Sequence, residues 1–287
     1  MNDSLHTVSL IKIALYSAFA FVLSVITVVF ITPFFPESAH DFLRFLAEVG
    51  IVLAVSLFIV RHLNKKDVSL RSIVGDTSVS KKMLLFSSSL TIGKLILYFL
   101  FAGLVLRFFI TQPEFAADAQ SVMEDTSPPE FNRWLIISTV VLAPVIEEFI
   151  FRGIILNKWA EKSSNTRALI ISSLLFGLLH IGSFIIPQFI GGLLYGIVYI
   201  KTKKLIYPIL MHVLNNLIPV GIMLIPAPES TEAFSVSQLI AELTPVLNVV
   251  SLVFIIALPV FLFIVYRYSR NLNDEVAPFK FNTRKAI

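Results

Sequence analysis

The sequence contains no cysteine in 287 residues, and only 15% of its residues are charged. The lack of cysteine excludes disulfides, thiol nucleophiles, cysteine-ligated zinc and a prenylatable C-terminal cysteine. The composition is instead strongly apolar, with 56% hydrophobic residues, 26 phenylalanines and a mean hydropathy of +0.84. Because one soluble core could not bury so much apolar surface, we expect an integral membrane protein.

Several motifs of other membrane proteases are also absent. The five histidines form no HExxH, there is no GxSxG, and no aspartate lies inside an apolar span. These absences exclude zincin, rhomboid-like and aspartyl chemistries. The isoelectric point near 9.2 does not indicate a nucleic-acid partner, because the basic residues lie in short loops beside apolar spans, where they report membrane topology.

The apolar runs predict an all-α, polytopic membrane protein with about eight transmembrane helices. Most runs are near the roughly 20 residues that cross a bilayer as a helix. The predicted spans are 9–33, 43–60, 92–110, 133–156, 168–183, 186–200, 205–225 and 243–266. No soluble domain interrupts them, so residues 1–287 are expected to form a single membrane domain. The segment 83–93 is ambiguous, and Lys94 slightly favours a short helix along the membrane surface over an extension of the third span.

The loop charges predict the orientation of the chain. Lysine and arginine concentrate in loops 61–82, 157–167 and 201–204 and in the tail after residue 266. The segments 34–43, 111–132 and 226–242 carry acidic residues and no lysine or arginine. Because short basic loops stay on the cytoplasmic side, both termini are predicted to be cytoplasmic.

Ionisable groups inside the spans are the main functional signal. Each costs at least about 2.5 kcal/mol at mid-membrane, so it needs a partner or a function. Near the outer end of the second span, the spacing of Arg44 and Glu48 predicts an i,i+4 ion pair. The remaining polar groups reach one layer near mid-membrane at a rise of roughly 1.5 Å per residue. They are Glu147, Glu148 and Arg152 in the fourth span, His180 in the fifth, and His212, Asn215 and Asn216 in the seventh.

The spacing in the fourth span separates the two acids. Glu148 and Arg152 stand i,i+4 with the acid first, which favours an ion pair. Glu147 points about 100° away around the helix and has no such partner. Glu147 is therefore the freer carboxylate and the candidate general base.

Similar spacing groups the polar residues of the other two spans. Phe176 and His180 share one face of the fifth span, and His212 and Asn216 share one face of the seventh, while Asn215 is expected to point elsewhere. The small residues of "GGLLYG" in the sixth span, Gly191, Gly192 and Gly196, predict close helix packing.

These side chains allow more than one chemistry. Glu147 could take a proton from a water while a His/Asn pair holds the oxyanion of an amide under attack. Glu147, His180 and His212 could instead hold zinc or another divalent metal with an open position for water. A proton-coupled transporter is a third interpretation, because intramembrane carboxylates and histidines also relay protons.

Three motifs in order resemble one family. EExxxR at residues 147–152, FxxxH at 176–180 and HxxxN at 212–216 are similar to the motifs of the CAAX protease and bacteriocin-processing family of intramembrane proteases, which includes the type 2 CAAX prenyl endopeptidases. The resemblance covers residues 130–220, the expected protease core. It implies eight helices around a cavity open to the cytoplasm.

The resemblance also implies a role for each motif residue. Glu147 would activate water with help from His180, and His212 and Asn216 would form the oxyanion hole. Glu148 and Arg152 would support the site.

The family resemblance further implies a substrate class and a setting. The substrate would be a membrane-embedded peptide or protein. The lack of cysteine, the many phenylalanines and lysines and the single-domain layout favour a bacterial cell membrane, where the family implies peptide maturation or bacteriocin immunity as the context and makes a prenylated substrate less expected. The cofactor would be none or a divalent metal such as zinc. A non-catalytic membrane scaffold is a further alternative, against which the intact motifs argue.

Overall fold

The structure is a computed structural model that describes residues 4–112, 133–181, 185–225 and 236–286. Within those ranges every regular element is helical, which confirms the all-α class. The helices are α1 (Leu10–Ile31), α2 (Glu37–Asn64), α3 (Leu70–Val74), α4 (Lys81–Phe109), α5 (133–160), α6 (Asn165–Leu178), α7 (Ile185–Thr202), α8 (Ile206–Met223), α9 (Val236–Ser269) and α10 (Pro278–Ala286).

In the described part of the chain, six helices are long and apolar enough to cross a membrane: α1, α2, α4, α7, α8 and α9. Helix α6 is apolar but shorter, and α5 is not regular along its length. The polytopic membrane class is therefore confirmed, while the number of eight spans stays a prediction. Most of the acidic residues used to orient the chain fall in 113–132 and 226–235, outside the described residues, so the orientation also stays a prediction.

Helix α5 alternates between α-helical and π-helical turns. It is π-helical at Ser138–Leu142 and Phe149–Leu156 and α-helical at Arg133–Ile137, Ala143–Glu148 and Asn157–Ala160. In the first π segment the amide of Ala143 donates to the carbonyl of Ser138, five residues back. The carbonyl of Thr139 is thereby released from its usual α-helical hydrogen bond.

The segment 83–93 belongs to one unbroken helix, Lys81–Phe109, so the slight preference for a separate surface helix is wrong. The segment contains no proline, and a single glycine at 93 costs too little to break a long apolar helix.

The predicted pair between Arg44 and Glu48 is also wrong. Arg44 Nη1 lies 3.5 Å from Asp41 Oδ1 at an exposed position, and Glu48 accepts a hydrogen bond from the hydroxyl of Ser138 on α5. Pairs at i,i+3 and i,i+4 differ little in strength at exposed positions, so the spacing alone could not choose between them. The contact between Glu48 and Ser138 joins two helices, which helical spacing cannot predict.

The described residues form two packed units, and the first contains all the polar motif residues. It comprises the described parts of Met1–Ser89, Phe131–Val220 and Asn271–Ile287. Its hydrophobic core joins α2, α3, α5 and α10 through buried residues such as Ile59, Ile73, Ile154 and Phe279. A Cβ on Gly196 would lie 2.3 Å from Leu169 Cδ1, which confirms the close packing of α7 against α6.

Asn157 ties the end of α5 to its neighbours. Its Nδ2 donates to the carbonyls of Arg152 and Gly153 and to the hydroxyl of Tyr199, and its Oδ1 accepts from the amide of Phe279 on α10. Because Asn157 is fully buried, each of these bonds satisfies a polar group that water cannot reach. The last turn of α5 is therefore fixed to both α7 and α10.

The second unit comprises the described parts of Leu90–Glu130 and Gly221–Arg270. Within it Arg107 Nε donates to Asn248 Oδ1 at 2.6 Å, and the rings of Phe101 and Phe254 lie 5.7 Å apart. These contacts join α4 to α9.

Candidate active site

The two charged partners of the EExxxR motif form a buried ion pair. Arg152 Nη1 lies 2.8 Å from Glu148 Oε1, and both side chains are 0% exposed. This is the i,i+4 pair that the helical spacing predicts. The ion pair forms even though Glu148 is the last residue of an α-helical turn and Arg152 lies in the π-helical segment that follows.

His212 on α8 lies between the two glutamates of α5. Its Nδ1 is 2.9 Å from Glu148 Oε1, and its Nε2 is 3.9 Å from Glu147 Oε2. The side chain of Glu147 is 27% exposed, whereas that of Glu148 is 0% exposed. Adjacent residues on one helix thus contact opposite nitrogens of one imidazole, and only Glu147 is accessible.

The contact with Glu148 determines where His212 carries its proton. An ionised carboxylate only accepts hydrogen bonds, so Nδ1 of His212 is the donor to Glu148. Nε2 then faces Glu147 as an acceptor in the neutral ring. It becomes a donor only when the ring carries a second proton.

Two aromatic rings contact both Arg152 and His212. Phe176 on α6 and Tyr195 on α7 are fully buried, and their centroids lie 4.5 Å and 5.4 Å from Arg152 Cζ. Phe176 meets the His212 ring edge-to-face at 5.6 Å, and Tyr195 stacks on it at 5.2 Å. The Arg152 guanidinium and the imidazole are therefore held between aromatic surfaces, which favours cations.

Sequence reasoning assigned no role to Tyr195. The sequence does indicate a contact surface there, because Gly192, Tyr195 and Gly196 stand at i, i+3 and i+4 and so share one face of α7. A Cβ on Gly192 would lie 3.0 Å from Arg152 Nη2 and 3.1 Å from Ser173 Cα. This face of α7 is the surface against which Arg152 packs.

His180 was expected to lie on the same helix face as Phe176, but the structure places it beyond the end of that helix. Helix α6 ends at Leu178, and His180 lies in the turn that follows. Its Nδ1 donates to the carbonyl of Phe176 at 2.7 Å, and its ring lies 4.8 Å from the Phe176 ring. The FxxxH motif therefore places His180 against the same Phe176 that contacts Arg152 and His212.

Asn216 is attached to α5 through the first π segment. Its Nδ2 donates at 2.8 Å to the carbonyl of Thr139, the one released from helical bonding. The side-chain amide of Asn215 donates to Asn216 Oδ1 at 3.0 Å, so these two side chains touch, although the helical angle places them on different faces. A side chain of the neighbouring residue can reach Asn216 by bending over the helix surface, which face assignment by angle does not capture.

The suggested metal ligands are Glu147, His180 and His212. Across the ranges that the structure describes, no three histidine, aspartate or glutamate side chains come close enough together to hold one metal ion. The Nδ1 atoms of both histidines are already engaged, with the carbonyl of Phe176 and with Glu148. With both Nδ1 atoms engaged in this way, Nε2 is the atom that each histidine could offer to a metal ion.

The polar residues thus fall into three groups. Glu147, Glu148, Arg152 and His212 form one directly contacting set. His180 joins that set through Phe176, and Asn216 is bonded to α5.

Comparison with known proteins places this site within a known family segment. Residues 129–218 match the family described as type II CAAX prenyl endopeptidase Rce1-like. The "Membrane-embedded CAAX protease MroQ" of Staphylococcus aureus is 32% identical over 83 residues, which cover 26% of this chain and 34% of the relative. The "Putative membrane peptidase YdiL" of Bacillus subtilis is 32% identical over 93 residues, covering 32% of this chain and 38% of the relative. No solved structure matches.

The matched family segment contains every polar motif residue of the site. The resemblance that the three motifs indicate is therefore confirmed for residues 129–218. The match spans only about a third of the length of the two curated relatives.

Proposed function

We propose that the protein is an intramembrane endopeptidase that hydrolyses peptide bonds of membrane-associated substrates, with Glu147 as the general base. The observation that carries this proposal is the position of His212 between a buried, paired glutamate and an accessible one. The family match over residues 129–218 supports the same reaction class.

In the proposed reaction, Glu147 takes a proton from a water whose oxygen attacks the carbonyl carbon of the scissile peptide bond. The carbonyl electrons move to oxygen and form an oxyanion. When the carbon–nitrogen bond breaks, Glu147 returns the proton to the leaving nitrogen. The products are a carboxyl and an amino terminus, and the carboxylate of Glu147 is regenerated.

His212 and Asn216 are proposed to stabilise the oxyanion. His212 can donate through Nε2 only when it carries two protons, because Nδ1 already donates to Glu148. A doubly protonated His212 also balances the charges, since Glu147 and Glu148 bring two negative charges and Arg152 one positive charge. In this proposal the Glu148–Arg152 pair orients the imidazole, and His180 assists Glu147.

A zinc-assisted reaction is the alternative that the ligand types leave open. Glu147 and the Nε2 atoms of His180 and His212 would be the ligands after a change in side-chain position. A bound zinc would activate the water and polarise the carbonyl.

The proposed substrate is a membrane-embedded or membrane-associated peptide, such as a peptide precursor, with a prenylated protein as a less favoured case. MroQ is described as a membrane-embedded CAAX protease and YdiL as a putative membrane peptidase. Because both relatives are bacterial, we place this protein in a bacterial cell membrane. From the loop charges, we propose that both of its termini lie in the cytoplasm. Bacteriocin immunity is one biological context that this chemistry would serve.

The proposal is tested by comparing membrane peptides in cells that carry the wild-type protein or Glu147→Gln. We expect peptide fragments that accumulate only with the wild-type protein, and a loss of cleavage of about 10²–10⁴-fold in the variant, the contribution typical of a positioned acid–base group. Glu37→Gln is the matched control, because Glu37 is an exposed carboxylate in the first turn of α2, outside the site.

Two measurements on the purified, liposome-reconstituted protein separate the alternatives. Cleavage of an identified peptide that persists after exhaustive chelation, with no metal by elemental analysis, would exclude the zinc version. Cleavage by Glu147→Gln at the wild-type rate would refute the assigned base. Proton flux driven by a solute, with no peptide cleavage, would favour the transporter, and normal cell phenotypes with Glu147→Gln would favour a scaffold.

A further inference from the structure

A polar pocket lies outside the candidate active site, where the turn after α5 meets the C-terminal segment. Its volume is about 270 Å³, and its lining includes Ser163, Asn165, Asn273, Lys280 and Arg284. Lys280 and Arg284 stand i,i+4 on α10, so both side chains lie on the same face. The proposed protease chemistry does not use this pocket.

The inner face of α10 is fixed to the rest of the first unit. The amide of Phe279 donates to Asn157 Oδ1 at 2.9 Å, and Asn282 Nδ2 donates to the carbonyl of Lys203 at 2.9 Å. Phe279 and Thr283 are almost completely buried. These contacts hold α10 in place, so the basic face points away from the packed core.

The two basic residues of the pocket have no acidic partner. Among the residues that the structure describes, neither Lys280 nor Arg284 lies within ion-pair distance of a carboxylate. The acid of the pocket, Glu275, is already paired with Lys201 at 3.2 Å and with Lys203 at 3.0 Å. The pocket therefore offers two unneutralised positive charges.

The pocket lies at the ends of α5 and α6, two helices that the apolar runs of the sequence predict to lie in the membrane. It includes Ala160, the last residue of α5, and Asn165, the first residue of α6. Two exposed aromatic residues are sequence neighbours of its lining residues: Trp159, next to Ala160, at 38% exposure, and Phe281, next to Lys280, at 37%. Exposed Trp and Phe next to lysine and arginine are typical of the boundary between the apolar core and the headgroups of a bilayer.

From this combination we infer that the pocket binds the headgroup of an anionic phospholipid, with Lys280 and Arg284 contacting the phosphate. Phe281, with Lys285 Nζ 5.7 Å from its ring centroid, packs against the adjacent lipid. The charge complementarity and the boundary position favour a lipid over a soluble anion. The C-terminal helix thereby anchors the end of α5 to one leaflet.

The experiment uses the full chain in nanodiscs and the fluorescence of Trp159. The sequence has two tryptophans, so Trp134→Phe leaves Trp159 as the only one, while Phe keeps a ring against Phe42 and Phe45. Quenching is compared between brominated phosphatidylglycerol and brominated phosphatidylcholine at equal mole fractions. We expect the anionic lipid to bind more tightly by on the order of tenfold, given the gain per basic residue near an anionic surface.

The variants decide which charges are responsible. Lys280→Gln/Arg284→Gln should abolish the preference for the anionic lipid but leave quenching by phosphatidylcholine unchanged. Arg61→Gln/Lys65→Gln removes the same charge from the end of α2, outside the pocket, and should keep the preference. Both double variants change exposed side chains, so their unfolding temperatures should match that of the parent.

Three results would overturn the inference. The first is equal quenching by the two lipids, and the second is an equal loss of preference in both double variants. The third is release of the anionic preference by glycerol phosphate at a concentration no higher than that of the anionic lipid, which would assign the pocket to a soluble phosphate compound instead.

Discussion

Removal of either member of the Glu148–Arg152 pair should destabilise the protein by unequal amounts. Glu148→Gln keeps the shape of the side chain but leaves the guanidinium of Arg152 buried without a counter-charge. Arg152→Met removes the guanidinium and leaves Glu148 bonded to Nδ1 of His212. The double variant removes both charges.

The magnitudes follow from the burial and the remaining partners. Breaking a fully buried pair costs about 3–5 kcal/mol, and we assign this range to Glu148→Gln because both side chains are 0% exposed. For Arg152→Met we expect a smaller loss of stability, about 2–3 kcal/mol, because His212 still donates a hydrogen bond to Glu148 Oε1. The loss of Arg152 also removes Nε and Nη2, which have no hydrogen-bond partner among the described residues.

The exposed pair Arg44–Asp41 provides the internal control. Its side chains are 63% and 54% exposed, so Arg44→Met should cost about 0–1 kcal/mol. All variants are unfolded by denaturant in detergent micelles, with the fluorescence of the two tryptophans as the signal. The double variant should cost clearly less than the sum of its singles.

Two outcomes would refute the reasoning. If Glu148→Gln costs no more stability than Arg44→Met, the Glu148–Arg152 pair is solvated and its burial in the structure is wrong. If Arg152→Met costs more than Glu148→Gln, His212 does not support Glu148 as its 2.9 Å contact indicates.

Three further changes test other parts of the structure. Tyr195→Phe keeps the ring and should leave kcat close to that of the wild type, whereas Tyr195→Leu should lower kcat by about 2- to 13-fold at unchanged KM, because it loses the ring that stacks on His212, worth about 0.5–1.5 kcal/mol. In Gly192→Ala the new Cβ would lie 3.0 Å from Arg152 Nη2, so the guanidinium must shift and kcat should fall. Gly50→Ala places no atom within 4 Å of its Cβ and should raise the stability slightly. Glu275→Gln should lower the unfolding temperature at pH 7, and this difference should shrink as the pH falls below about 4.5 and disappear once the pH is below the lowered folded pKa; a difference that does not shrink on acidification would contradict it.

The lysines around Glu275 determine the direction of its pKa shift. Burial alone would raise its pKa, but hydrogen bonds from Lys203 and Lys201 outweigh burial and hold the pKa below its ordinary value of 4.5. A carboxyl whose pKa is lowered in the folded state stabilises that state above the unfolded pKa. The stabilisation is lost as the pH falls through the folded pKa.

Helical periodicity predicted the parts of the site that depend on one helix. The Glu148–Arg152 pair and the greater exposure of Glu147 both follow from positions on α5, where spacing and angle suffice. Apolar run lengths likewise predicted the all-α membrane class, although the boundaries moved, as for α6, which ends at Leu178 rather than 183.

Contacts between helices were not predictable in the same way. The pairing of Glu48 with Ser138 and the packing of Tyr195 on His212 depend on how α2, α5, α7 and α8 are placed in space. Exposed pairs such as Arg44 with Asp41 or Glu48 differ by less than about 0.5 kcal/mol, so no spacing rule could rank them.

The π-helical turns explain why the oxyanion residue proposed on α8 bonds to α5 at all. A regular α-helix uses every interior carbonyl, so Thr139 would have none to offer to a second helix. Pro144 has no amide hydrogen, and just before it the amide of Ala143 bonds five residues back to Ser138. That one-residue shift frees the Thr139 carbonyl, which Asn216 takes at 2.8 Å. The α-helical turn Ala143–Glu148 then resumes, so Glu147 and Glu148 keep their roughly 100° separation and contact opposite nitrogens of His212. The irregular turn thus connects α8 to α5 without changing the helical geometry that distinguishes the two acids.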